Sequence, residues 1–160
     1  MPSEQFKKSA CMTGIQKIIL LTDVNGTLFF DQQKNQPLYA AAEKISRLGK
    51  GGVIIMTGNS FENPVLDIAK DDIQPASVLD KPFKLDALNN AMSQLLGDTP
   101  FDQCLVIAVD DQSEICRLLK ACLEHKGFSD VRAFHPVNDM DDLNQTFMEL
   151  GVLGDGPSGP

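Results

Sequence analysis

Four apolar runs of strand length each end on a residue able to do chemistry. Asp23 follows KIILLT (17–22), and Thr57 follows VIIM (53–56). Lys81 follows a shorter run ending at Leu79 and Asp80, and the pair Asp110-Asp111 follows CLVIAV (104–109). Two or three carboxylates, a hydroxyl and an ammonium suit phosphoryl transfer. A carboxylate can attack phosphorus to give an acyl phosphate, which splits one hard hydrolysis into two easier steps. Its charge must approach a dianionic phosphate, so a hard cation held by further carboxylates is needed. Asp110 and Asp111 can hold Mg²⁺ alongside Asp23, with Asp23 as the nucleophile. Thr57 and Lys81 are placed to stabilise the equatorial phosphoryl oxygens of the transition state. Each residue also has a plainer reading. Thr57 can cap a loop, Lys84 competes with Lys81, and one of Asp110 and Asp111 can cap a helix starting near Gln112.

The elements that must position these groups are legible from periodicity. Apolar runs alternate with helix-periodic stretches five times, the pattern of an α/β protein with a parallel sheet. Strands are expected at 17–22, 53–56, 76–79, 104–109 and 131–134. Helices are expected at 38–48, from Asn63 as cap with Pro64 in the first position, and at 84–96. A fourth helix would bury Ile115, Leu118, Leu119 and Cys122, and a last one Met140, Leu143, Phe147 and Leu150. In the third helix, Leu85, Leu88, Met92, Leu95 and Leu96 share a face. The result is a Rossmann-like three-layer sandwich around a five-stranded parallel sheet. Such sheets bind ligands beyond the carboxyl ends of their strands, where the four groups above stand. Residues 1–16 form an N-terminal arm, 17–150 the phosphoryl-transfer domain, and 151–160 a disordered Gly/Pro tail.

Composition removes several classes of function. The 160 residues suit one domain with a real core, and the net charge is −8, from 22 acidic and 14 basic residues. Such a surface repels nucleic acid and anionic lipid, so neither is an expected partner. No apolar run reaches the roughly eighteen residues of a membrane span. No signal-peptide core stands at the N-terminus, which points to the cytoplasm. Cys11, Cys104, Cys116 and Cys122 show neither a CxxC pair nor metal spacing and read as reduced thiols. His125 and His135 read as ordinary surface. Asp139, Asp141 and Asp142 sit at a helix start, where negative charge favours the dipole.

The motifs DVNGTL (23–28), TGNS (57–60), KP (81–82) and VDD (109–111) occur in the order of the four motifs of the haloacid dehalogenase (HAD) superfamily. The chain resembles that superfamily over about residues 17 to 135. The resemblance implies a hydrolase: a magnesium-dependent phosphatase with Asp23 as nucleophile and Thr57 and Lys81 as phosphate contacts. It also implies metal binding by Asp23, by Asp110 or Asp111, and by the backbone carbonyl of Asn25. Family strand order would be fifth, fourth, first, second, third, with residues 27–37 forming a flap over Asp23. Phe29 and Phe30 belong either to the core or to the mouth of the site.

Two departures shape the expected substrate. The family's general acid–base aspartate corresponds to Asn25, whose amide cannot give or take a proton, a loss of ~10²–10⁴-fold in typical cases. Phenolic leaving groups, with a pKa near ~10, suffer least from that loss. The gaps between the first three motifs each hold only a helix and its loops, so there is no cap domain. An open site suits a phosphorylated protein, phosphotyrosine among its groups, better than a small phosphomonoester. A second resemblance competes: VLDKPFKLDAL and VIAVDDQSEICRLLKACLEHKGF are similar to the end and the beginning of a response-regulator receiver domain. That reading requires circular permutation and implies a phosphoacceptor, or a degenerate regulatory binding module, without a flap.

Overall fold

The structure, a computed structural model, describes residues 15–58, 63–81 and 84–152. Most of the expected arm and tail, Cys11, and the motif residues Asn59, Ser60 and Pro82 lie outside the described residues. Five strands form one parallel sheet: β1 (Lys17–Asp23), β4 (Gly51–Thr57), β5 (Ser77–Asp80), β6 (Cys104–Val109) and β7 (Asp130–Phe134). Their order is β5-β4-β1-β6-β7, with the first strand in the centre, the order that the family resemblance implies. A separate antiparallel hairpin, β2 (Phe29–Phe30) and β3 (Gln33–Lys34), stands between β1 and the first helix, within the span expected for a flap.

Among the described residues, five α-helices cover the sheet: α1 (Gln36–Arg47), α2 (Pro64–Ile73), α3 (Leu85–Leu96), α4 (Ser113–Lys126) and α5 (Met140–Leu150). Alternate strand residues face opposite layers because the side-chain period of a strand is two. Leu20, Ile55 and Ile107 pack with Leu38 and Ile45 of α1, Leu66 of α2 and Phe147 of α5. Leu21, Ile54 and Val106 pack with Met92 of α3 and Leu119 of α4. The chain is therefore a three-layer α/β sandwich. Burial on both faces explains why β1, β4 and β6 read as continuous apolar runs.

Three expectations need correction. Leu85 is 51% exposed and Leu118 is 50% exposed, although both had been placed inward. The buried stripe of α4 is Cys116, Leu119 and Leu123, so Leu118 sits a helical step off it. Leu85 opens the first turn of α3, and the buried stripe begins further along, at Leu88. The fold also runs past Leu150, since Val152 is buried at 2% exposure. Gly151 adopts φ 76° and donates to the Met148 carbonyl at 3.1 Å, while Val152 N–H donates to the Phe147 carbonyl at 3.0 Å. That paired closure ends α5 and returns an apolar residue to the core.

No helix among the described residues is long and apolar enough to cross a membrane.

Candidate active site

The register of the sheet brings the site together. Thr22 pairs with Val109, so Asp23 and Asp110 leave neighbouring strands at the same level. Thr57 pairs with Asp80, which puts Lys81 just beyond the end of β4. The Lys81 N–H donates to the Thr57 carbonyl at 2.7 Å and ties these two strand ends together. From there the Lys81 side chain crosses the end of β4. Its Nζ lies 3.1 Å from Asp23 Oδ1 and 2.9 Å from Asp110 Oδ2. Lys81 rather than Lys84 meets the carboxylates; Lys84 is exposed at the N-cap of α3. Thr57 is buried at the end of β4, beside this cluster in register.

Asp23 is 5% exposed and Asp110 is fully buried. Burial, and then the charge of Asp110, push the Asp23 carboxyl up to about 6, against the opposing pull of Lys81. Burial also raises Asp110, although it accepts from Lys81 and from the Gln112 N–H at 2.9 Å. Burial by itself would depress Lys81, but Asp110 and Asp23 outweigh it and hold the ammonium charged. Asp110 thus serves both readings: it shapes the turn into α4 and faces the site. The Cys116 thiol backs this turn, 3.5 Å from the Asp110 carbonyl, and burial raises it, so it stays a protonated weak donor.

The donor set fits a hard divalent cation. Carboxylate oxygens of Asp23, Asp110 and Asp111 lie within 4.8 Å of one another, with Asp111 exposed and the other two buried. Asp23 and Asp110 share the Lys81 ammonium and Asp111 stands close to both, which leaves a local excess of negative charge. Oxygen donors with that charge suit Mg²⁺. The loop after β1 comes close to Asp111 at Gly26, where a Cβ would lie 2.5 Å from Asp111 Oδ2. Gly26 also adopts φ 81°, a conformation that calls for glycine there.

Two contributors carried no signal strong enough to mark them beforehand. Thr27 is fully buried and its Oγ1 donates to Asp23 Oδ2 at 3.2 Å, orienting the carboxylate. Asn63 is expected only as a cap, and it does accept the Leu66 N–H at 3.3 Å. It also donates through Nδ2 to Asn25 Oδ1 at 2.9 Å. An open groove of about 980 Å³ begins at Asn25 and Asn63 and runs between the hairpin and α2, walled by Phe30, Gln33, Val65 and Ile68. Of the two phenylalanines, Phe29 is core and Phe30, 40% exposed, lines the groove. His125 is exposed, and the His135 Nδ1 accepts from the Val137 and Asn138 amides in a turn. Asp139 occupies the N-cap position of α5, where its side chain makes no cap bond and instead accepts the His135 N–H at 2.7 Å.

Searches with this chain match no protein-family model, no curated protein and no solved structure.

Proposed function

We propose that the chain is a magnesium-dependent phosphatase, HAD-like and without a cap domain, which works through an aspartyl phosphate on Asp23. The observation that carries this reading is Lys81 held between Asp23 and Asp110, at 3.1 and 2.9 Å, with Asp111 completing a set of three carboxylates. Asp23, Asp110 and Asp111 would hold Mg²⁺, joined by the Asn25 carbonyl if the family pattern carries over. When bound, the ion supplies positive charge against the phosphoryl oxygens.

Asp23 attacks phosphorus through a carboxylate oxygen, forming the acyl phosphate as the ester P–O bond breaks. The leaving oxygen takes its proton from water. Thr27 holds the second Asp23 oxygen, which limits rotation of the nucleophile. Lys81 and Thr57 stabilise the equatorial oxygens. Water then attacks phosphorus, releasing inorganic phosphate and the Asp23 carboxylate. The β2–β3 hairpin supports the HAD-like reading over a permuted receiver, which would run directly into the first helix. The open groove and the lack of a proton donor at position 25 favour aryl phosphates, phosphotyrosine in proteins among them.

Asn25 favours one further reading. Without acid–base help the acyl phosphate persists, and the chain would act as a phosphoacceptor or regulatory binding module. Hydrolysis of p-nitrophenyl phosphate with Mg²⁺, with EDTA and in Asp23→Asn decides between them. Turnover should vanish in EDTA, return with Mg²⁺ and be absent in Asp23→Asn. Full activity in chelator would sink the phosphatase reading. One labelling event per chain without turnover would select the phosphoacceptor.

A further inference from the structure

We infer that Asn63 is a positioning residue that turns the Asn25 amide so that its Nδ2, not its oxygen, is offered to the leaving group. This rests on the phosphoryl-transfer reading above and specifies how the same site treats its substrate. The Oδ1 of Asn63 accepts the Leu66 N–H at 3.3 Å, as the first turn of α2 requires. With that oxygen committed, the other end of the Asn63 amide is its Nδ2 donor, 2.9 Å from Asn25 Oδ1. A hydrogen-bond network of this kind decides which way an amide points. Asn63 is 5% exposed, so its own orientation is held by packing as well as by the cap.

Asn25 and Asn63 both line the groove, and Asn25 stands two residues beyond Asp23, the last residue of β1. With the Asn25 oxygen turned to α2, the opposite end of its amide is a pair of N–H donors. The leaving-group oxygen gains negative charge as the P–O bond breaks, and an amide oxygen aimed at it would repel that charge. An amide N–H stabilises the charge without transferring a proton. Such a bond falls short of general acid catalysis, so help is graded with the basicity of the leaving group rather than abolished.

Asn63→Asp separates the cap from the orientation. A carboxylate still accepts the Leu66 N–H, and it adds favourable charge at a helix N-terminus. It has no donor for Asn25, whose amide then turns its NH₂ towards position 63 and its oxygen towards the leaving group. The melting temperature should stay at or above the native value. The kcat for an alkyl phosphate should fall on the order of tenfold, and that for p-nitrophenyl phosphate less than about threefold, with KM unchanged. Asn63→Ser keeps a cap and is too short to bridge, so it should show the same uneven loss. A role in stability alone would lower both rates together. An equal loss on both esters, or none, overturns the inference. Asp23→Asn, measured in parallel, tests the parent reading: if turnover survives it, the aspartyl phosphate fails while the ester ratio still decides the Asn63 role. No turnover by the native protein overturns both.

Discussion

At the scale of single residues, Asp23 is buried, whereas the nucleophilic role proposed for it needs a charged carboxylate. Its carboxyl, pushed up to about 6, records that conflict in the metal-free protein. A folded value above the unfolded one, ~3.9, means that this group's contribution to stability is present below about pH 4 and lost as pH rises through about 6. In EDTA, the native melting temperature should therefore fall relative to that of Asp23→Asn between about pH 4.5 and 7.5. Adding Mg²⁺ at the higher pH should close that difference; a native protein that gains on the variant with rising pH would contradict the assignment. Asn25 gives the second test. On the proposed reading, Asn25→Asp places a titrating group beside the leaving oxygen, so alkyl phosphate hydrolysis should rise by ~10²-fold or more and aryl hydrolysis by less. Parallel kinetics on a phenyl and an alkyl ester read this directly, and an equal gain would show that position 25 does not set the preference.

At the scale of elements, the hairpin walls the groove beside the candidate site. Two adjacent phenylalanines divide its work. Phe29 is 1% exposed and its ring meets Tyr39 of α1 edge-on, with centroids 5.4 Å apart. Lys34 of β3 lies over the Tyr39 ring and pairs with Asp72 of α2, so the hairpin is anchored on two helices. Phe30 points the other way, into the groove. Phe29→Ala should cost ~3–5 kcal/mol by chemical denaturation, as for other buried aromatic truncations. Phe30→Ala should leave stability within ~0.5 kcal/mol while raising KM for aryl phosphates. If Phe30→Ala left KM unaltered, the groove would not be the leaving-group site.

At the scale of the whole molecule, the sheet acts as a jig. Its central strand carries Asp23, the proposed nucleophile, one neighbour carries Asp110, and the other flank brings Thr57 and Lys81. Strands buried on both faces hold those ends rigidly, and the cost of crowding carboxylates is carried by a core remote from them. A cation that binds only the folded arrangement must stabilise it, by about 2.7 kcal/mol at a free concentration a hundred times its dissociation constant. Thermal unfolding with increasing Mg²⁺ should show that rise, and Asp110→Asn should flatten it. No metal dependence of the melting temperature would count against the three carboxylates as a magnesium site.

The amino-acid sequence by itself determined the layers of this protein and the residues at the strand ends. Continuous apolar runs specify strands covered on both sides, and Asn63-Pro64 marks a helix start whose cap bond is present. Because the strands are parallel, Asp23, Thr57, Lys81 and Asp110 had to emerge on one edge, whatever their exact distances. Periodicity misplaced Leu85, in the first turn of its helix, and Leu118, a step off the buried stripe of α4, and it missed the closure at Gly151 and Val152, which depends on backbone conformation. Only the tertiary structure decided among residues of equal chemistry. Lys81 prevails over Lys84 because it alone is aligned in register with the end of β4. Asp110 is the buried carboxylate and Asp111 the exposed one. The Asn25–Asn63 bond joins residues far apart in sequence, between a loop and a helix cap. No spacing rule encodes it, since it arises from where α2 packs against the sheet.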